Sequence, residues 1–558
     1  MIIGFSGIII ISFLLGTIFI SVLKGRIIQS TLFPGMLPFE LSFQADGLSI
    51  LMALIGFLLW SAVFVYSLSN IDKDIIRYHT LLLLLLGGVQ GTLFAKDLIS
   101  FYFFLEISAI VTYFLIIHEK NTPAFKAGYK YIIMTLVGAF LIFISILSVY
   151  NETKSFEIIG MIQCCHQIIP ILFLTGCFVK AGAVPLHTWL PEAHPAAPSP
   201  VSAFLSGIMI KIGAYGIIRI ALHSLNMNFE ISSDGNTLNT MILFIGIISM
   251  LTGVILALMQ TNVKRLLAYH SISQIGYILF GVGLGTKLGI AGGIFHMINH
   301  AFFKGLLFLC MGAVIFMTGE KNLNNLGGLW KKMPVTTITC LVAVLSISGI
   351  PPFSGFASKA TLGKAADYIS PLLKLILTIA SALTFASFFK LMKYTFFGDN
   401  KNSRKDIKEA PVLMLVPMII LSIFCLSLGL KAKFILNRLI MFAIDITFQI
   451  PFTQKVPFWT LETLFNTLLI VVSGFTVFFL AVKFGLIGKE EKQFKGNNFR
   501  GKLTKCLNVN FIYDNTAILF SHYCNKMNKL HPRDLNTHLS WVVLTLIFIY
   551  TILIFEIL

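Results

Sequence analysis

The chain is 558 residues long, 56% hydrophobic and 12% charged, with a mean hydropathy of +0.87 and a formal net charge of +18. Soluble domains carry about 25% charged residues, so this chain lacks the polar surface to cover a 62.0 kDa particle. That excludes a cytosolic enzyme, a disordered chain and a nucleic-acid-binding module, since the excess Lys and Arg lie in short stretches between apolar runs.

A transmembrane helix takes about 20 mainly apolar residues. In chain order that length predicts spans at 4–23, 47–68, 79–95, 98–118, 127–149, 168–189, 199–223 and 239–259, then at 266–286, 288–317, 334–350, 371–397, 411–430, 461–487 and 537–557. The expected fold is all-α and integral to the membrane, a polytopic bundle of about 15 helices. The stretch 432–450, with Lys431, Lys433 and Arg438, either crosses or lies flat. The first run has no basic residue ahead of it, while Lys24 and Arg26 follow it, so it does not read as a cleaved signal. Loops 71–78, 119–126, 260–265, 319–333, 398–410 and 488–536 hold about twice the basic residues of the opposite set, which places the N-terminus inside. The eight cysteines include no CxxC pair, so neither an iron–sulfur nor a zinc site is supported.

Two segments interrupt the helical pattern. Residues 180–200 contain prolines at 185, 191, 195, 198 and 200, and residues 346–359 contain Pro351 and Pro352 between glycines. Proline removes a backbone donor, and in a bilayer the freed carbonyls need partners inside the protein. One Pro/Gly break in each half points to a transporter of two repeats with its site at the breaks.

Ionisable groups inside the apolar runs carry the functional signal. They are Glu106, Lys180, Lys211, the stripe His296, His300 and Lys304 at intervals of four, Lys359 after the second break, and Lys390 as a further candidate. Each such charge costs about 2.5–3.5 kcal/mol near the bilayer centre. Four of them would match a typical net stability of about 5–15 kcal/mol. They must therefore face the bundle interior, pair, or line a hydrated path. Lysines beside a movable carboxylate, and histidines one turn apart, meet the requirements of a proton relay. By the same reasoning Lys390 with Lys393 suits snorkelling to an interface, Arg219 suits an anchor at the end of its span, and His187 and His194 belong to the proline-rich loop. The HxxxxExH pattern of His187, Glu192 and His194 lacks the continuous helix a metal motif needs, because Pro191 and Pro195 interrupt it.

At these residues the chain resembles the antiporter-like proton-translocating subunits of respiratory complex I, of Mrp-type sodium/proton antiporters and of membrane-bound hydrogenases. Four segments carry the likeness: DLISFYFFLEIS (97–108), KAGAVPLHTWLPEAHPAAPSPVSAFLSGIMIKIGAYGIIR (180–219), KRLLAYHSISQIGYI (264–278) with HMINHAFFKGLLF (296–308), and GIPPFSGFASK (349–359). The resemblance implies two inverted repeats, each with a broken helix, and a division into membrane helices at 1–96, a proton-translocating core at 97–400 and further helices at 401–558 with a polar stretch at 488–536. It makes Glu106 the essential glutamate and Lys180 its gating partner. Lys211 would continue the path, His296, His300 and Lys304 would form the central relay, and Lys359 the terminal lysine. Ala360 stands where relatives carry an acid, which leaves the partner of Lys359 open.

The expected function is proton translocation within a multi-subunit ion-pumping complex like complex I or a membrane-bound hydrogenase. The alternative is a sodium/proton antiporter subunit with no redox partner. Expected partners are other membrane subunits, with an electron-transfer arm or small antiporter subunits, besides membrane lipid and protons or sodium. No cofactor is expected: GVGLG at 281–285 lacks the strand–turn–helix context of a dinucleotide site. The expected location is the cytoplasmic (inner) membrane.

Overall fold

The computed structural model describes residues 2–32, 40–164, 166–226, 237–398, 407–448, 456–484 and 522. All but the last lie in one compact unit, Met1–Arg500. Five of its long helices start where a polar side chain takes up a free backbone N–H. Asp46 caps Gly47–Asn70, Asp97 caps Leu98–Ile116, Asn121 caps Thr122–Thr153, Asn262 caps Val263–Gly283 and Thr286 caps Lys287–Thr318.

Among the described residues, eleven helices are long and apolar enough to cross a membrane. The predicted span 537–557 lies outside the described residues, as does the polar stretch 488–536 apart from residue 522. Two predicted spans, 168–189 and 334–350, are shorter in the structure: the helices there are Ile168–Ala181 and Pro334–Ser348, 14 and 15 residues long. Each stops on a glycine in the left-handed region, Gly182 at φ +68° and Gly349 at φ +80°, a conformation a Cβ disfavours. After each stop an irregular stretch holds one cis proline, Pro185 or Pro352. A second helical piece follows, Leu190–Ala196 in one case and Ser354–Ile369 in the other. The second of these fell outside the predicted spans because Lys359, Lys364 and Asp367 dilute its apolar content. The structure also holds an antiparallel hairpin that hydropathy did not suggest, Ile28–Leu32 paired with Leu41–Ala45 in the register Ile28 to Ala45. The 432–450 stretch is helical through Phe448, with a π-helical turn at Ile435–Ile440.

Burial separates an inner from an outer set. The most apolar windows of Ser199–His223, Val263–Gly283 and Lys287–Thr318 are 100%, 94% and 83% buried, whereas those of Gly4–Leu23 and Leu461–Lys483 are 11% and 22% buried. The enclosed helices carry Lys211, His296, His300 and Lys304, and the outer ones present Ile9, Phe13, Phe465 and Leu468 to the surroundings. Small residues let the inner backbones approach. Gly246 and Gly253 on Thr237–Met259, and Gly276 and Gly283 on Val263–Gly283, would place an added Cβ 2.3–2.6 Å from backbone atoms of the facing helix.

Candidate functional site: a buried row of amines and imidazoles

Lys180 occupies the last turn of Ile168–Ala181, where the helix dipole favours a cation. Its Nζ donates to Glu106 Oε1 at 2.7 Å, and the two side chains are 5% and 18% exposed. The break in the helix fixes this geometry, because Gly182 ends the helix directly after the amine. Beside Lys180 is a small cavity lined by Leu105, Tyr131, Thr135, Trp189 and Met209, with about 10 Å³ for a water centre. That is room for one water.

Leu205–Met209 forms a π-helical turn that leads into the Lys211 helix, Ile210–Asn226. Such turns alter the backbone hydrogen-bond pattern and recur at functional sites. Lys211 Nζ donates to the Ser206 carbonyl at 2.5 Å, and Ser206 Oγ meets Ser271 Oγ at 2.7 Å. Lys211 lies within electrostatic reach of Lys304, His296 and His300.

Lys304, His300 and His296 follow along Lys287–Thr318, all three at 0% exposure. Lys304 Nζ has no hydrogen-bond partner among the described residues and sits 5.8 Å from the ring centroids of both Phe308 and Phe388. Neither ring nitrogen of His300 has such a partner. His296 is held at both ends, Nδ1 facing Ser358 Oγ and Nε2 facing Gln274 Oε1, each at 3.0 Å. The His296 and His300 centroids are 6.3 Å apart.

Ser358 adjoins Lys359, the last member of the row. Lys359 Nζ reaches back to the carbonyl of Ser348, the terminal residue of Pro334–Ser348, at 3.4 Å. It also sits 5.0 Å from the Tyr277 ring, which stacks on His296. Its stem passes Gly349, where an added Cβ would come within 2.8 Å of Cδ. Lys180 and Lys359 thus share one device: each amine lies at the carboxyl end of a half-helix that a glycine terminates. Lys359 also lines an open pocket with Lys364, Asp367, Lys374, Glu462 and Asn466, with about 100 Å³ available to water. No carboxylate pairs with Lys211, Lys304 or Lys359 among the described residues.

Three sequence expectations change. Lys390 does not snorkel: at 3% exposure it donates to the carbonyls of Leu258 and Gln260 at 2.7 and 2.5 Å, closing the end of Thr237–Met259. Arg219 is no interfacial anchor. It is ion-paired with Asp46 at 2.6 Å, the side chains being 7% and 0% exposed, and it also bonds the Tyr215 hydroxyl. His194 is not a loop residue but is fully buried against Phe308. Glu192 goes to Lys130 at 2.5 Å, so the HxxxxExH pattern is not assembled as one cluster. Two buried residues went unnoticed in the sequence. Lys264 donates to the Ala197 carbonyl at 2.7 Å, and His270 meets Ser387 Oγ at 2.8 Å. Lys264 read as a loop cation because it opens its helix, and His270 carries no spacing signal.

Comparison with known proteins places this geometry. The family described as NADH:quinone oxidoreductase/Mrp antiporter, TM matches residues 95–384, which include every member of the row. Hydrogenase-4 component B of Escherichia coli K12 is 31% identical over 439 residues, covering 72% of this chain and 64% of that protein. A Na(+)/H(+) antiporter subunit of Alkalihalophilus pseudofirmus is 28% identical, covering 71% of this chain and 81% of that protein. Among solved structures, a chain of the membrane-bound sulfane sulfur reductase, an archaeal respiratory membrane complex, superposes with a TM-score of 0.77 at 26% identity. That match covers 97% of this chain and 94% of the other. A chain of the Mrp complex from Dietzia sp. DQ12-45-1b has the same fold, with a TM-score of 0.70 at 24% identity over 79% of this chain and 93% of that one. The chain is a multi-pass membrane protein and belongs to the NADH:quinone oxidoreductase/Mrp antiporter transmembrane family.

Proposed function

We propose that this chain is a proton-translocating subunit of a multi-subunit ion-pumping complex in the cytoplasmic membrane. Protons pass along Glu106, Lys180, Lys211, the Lys304/His300/His296 stripe and Lys359, and neighbouring subunits supply the driving force. The observation that carries this reading is the 2.7 Å contact of Glu106 with Lys180 at the head of a buried row of amines and imidazoles. A buried ion pair is a weak source of stability, whereas a carboxylate that can approach or leave an amine changes the amine's proton affinity. Lys390 serves as a helix cap and lies outside the row.

The two-repeat organisation is part of the proposal. Four features of the first half recur in the second. Leu98–Ile116 corresponds to Val263–Gly283, and Thr122–Thr153 to Lys287–Thr318, both 32 residues long. The half-helices Ile168–Ala181 and Pro334–Ser348 correspond in turn. The single bridges Asp97–Glu157 and Asn262–Asn322 occupy matching places. Four crossings lie between Leu98–Ile116 and Val263–Gly283, namely Thr122–Thr153, the broken helix from Ile168 to Ala196, Ser199–His223 and Thr237–Met259, so on this reading the two sets run in opposite directions, as inverted repeats do.

The test is proton uptake into vesicles that hold the complete complex and a trapped pH dye. Glu106→Gln is expected to abolish uptake while assembly persists; uptake at the wild-type rate would refute the row. The second reading, a sodium/proton antiporter subunit without a redox partner, is favoured by the likeness to the Alkalihalophilus protein. Proton movement that requires sodium and no electron donor selects it. Sodium-independent movement coupled to electron transfer selects the first reading.

A further inference from the structure

A pocket on the loop face lies between the ends of Gly47–Asn70, Ile75–Phe94 and Leu98–Ile116. It is lined by Asp72, Lys73, Asp74, His118, Glu119 and Lys120 and has about 490 Å³ available to water. Asp74 is ion-paired with Lys120 and lies 4.0 Å from Arg77. The neighbouring Lys120 ammonium holds its carboxyl below the usual carboxylate range, so Asp74 is ionised at neutral pH. At the base of the pocket is His118. It is 6% exposed, lies against the Lys73 backbone, and has no hydrogen-bond partner for Nδ1 among the described residues.

Two further buried hydroxyls near His118 have no partner among the described residues. The Tyr78 ring meets the imidazole edge-on at 5.2 Å, and its hydroxyl, at 0% exposure, has no partner among the described residues. Thr112, at 1% exposure, is six residues from His118, about 9 Å of helical rise. It lies near Tyr131 without a hydrogen bond of good geometry. Tyr131 and Thr135 line the one-water cavity that touches Lys180. A buried polar group left unmatched costs about 1–3 kcal/mol. Three such groups, one at the pocket, one on the helix Ile75–Phe94 beside it and one on the helix that carries Glu106, are poor choices for a helix bundle that only has to pack. They suit a chain of hydrogen bonds completed by water.

We propose that this pocket is a proton-loading port for Glu106, in which His118 takes the proton from the aqueous side and the Tyr78 and Thr112 hydroxyls carry it inward. The inference rests on reading Glu106 as the carboxylate that receives protons. Only N–H and O–H bonds change. A hydronium ion gives its proton to His118 Nδ1, the imidazolium releases it to the hydroxyl chain, and Glu106 ends protonated, with one charge moved. Asp72, Asp74 and Glu119 set carboxyl groups at the mouth beside Lys73 and Lys120, while the open volume admits a small base.

That volume supplies the test. In vesicles containing the complete complex, His118→Ala is expected to slow proton uptake about a hundredfold, and imidazole added on the loop side should restore most of the rate. His118→Asn keeps a hydrogen-bonding side chain that cannot titrate and should be as slow as the alanine variant. Tyr78→Phe, which removes one hydroxyl from an intact core, should slow uptake severalfold. Wild-type rates in His118→Ala and His118→Asn would overturn the port. So would a slow His118→Ala that imidazole leaves slow. Glu106→Gln separates the two claims: uptake in that variant overturns row and port together, while its loss beside normal His118 variants overturns the port alone.

Discussion

Replacing Lys180 by Met removes the amine and leaves its volume. In the native protein Nζ lies 2.7 Å from Glu106 Oε1, with the lysine side chain 5% exposed. Two unit charges at that distance attract by about 6 kcal/mol at an effective dielectric constant of about 20. The desolvation both groups undergo offsets much of this, and breaking such a buried pair from one side costs about 3–5 kcal/mol. Lys180→Met should therefore lower the thermal unfolding midpoint of the purified complex and stop proton uptake. Adding Glu106→Gln removes the stranded carboxylate. The double variant should recover most of the lost stability, with a coupling energy of at least about 1.5 kcal/mol, and still move protons about a hundredfold more slowly than wild type. A pair that only fastens Leu98–Ile116 to Ile168–Ala181 would behave differently, because restoring the packing would restore transport. Normal proton uptake in the double variant would refute the reasoning.

Two further outcomes concern the frame around the row. Arg219→Leu leaves Asp46 at 0% exposure without its cation, which should cost about 3–5 kcal/mol and appear as loss of this subunit from the purified complex. Arg219→Lys should recover only part of it, since an ammonium cannot match the two-pronged contact to Asp46 Oδ1 and Oδ2. Gly355→Ala should sharply reduce the yield of assembled complex. Its Cβ would lie 1.8 Å from the Ser346 carbonyl, a backbone atom that cannot swing aside, so the second broken crossing would have to open.

The sequence disclosed the transmembrane runs and the residues of the row, for the same reason. A charge inside an apolar stretch is costly, so Glu106, Lys180, Lys211 and Lys304 stand out against their neighbours. The glycines and prolines at 182–185 and 349–352 likewise marked where the helices stop, because backbone conformation there is a local property. Contacts that depend on distant parts of the chain were hidden. Asp46 reads as a loop residue and Arg219 as an anchor until the fold joins them across 173 residues. Lys264 and Lys390 look like interfacial cations, yet each is turned inward onto helix-end carbonyls, Ala197 for one and Leu258 with Gln260 for the other. His118 closes the predicted span 98–118 and carries no signal of its own there, and only the packing of three helix ends shows it to be buried at a pocket.

The Lys304→Met complex is the most direct test of the central claim that the buried row conducts protons. Lys304 Nζ has no hydrogen-bond partner among the described residues and rests between the rings of Phe308 and Phe388. An apolar side chain of similar length therefore leaves no stranded ion and should fold at least as stably as the wild type. With the variant complex in vesicles loaded with a pH dye, the account predicts proton uptake reduced to the passive leak while thermal stability is unchanged or raised. Uptake at the wild-type rate from an assembled Lys304→Met complex would contradict it.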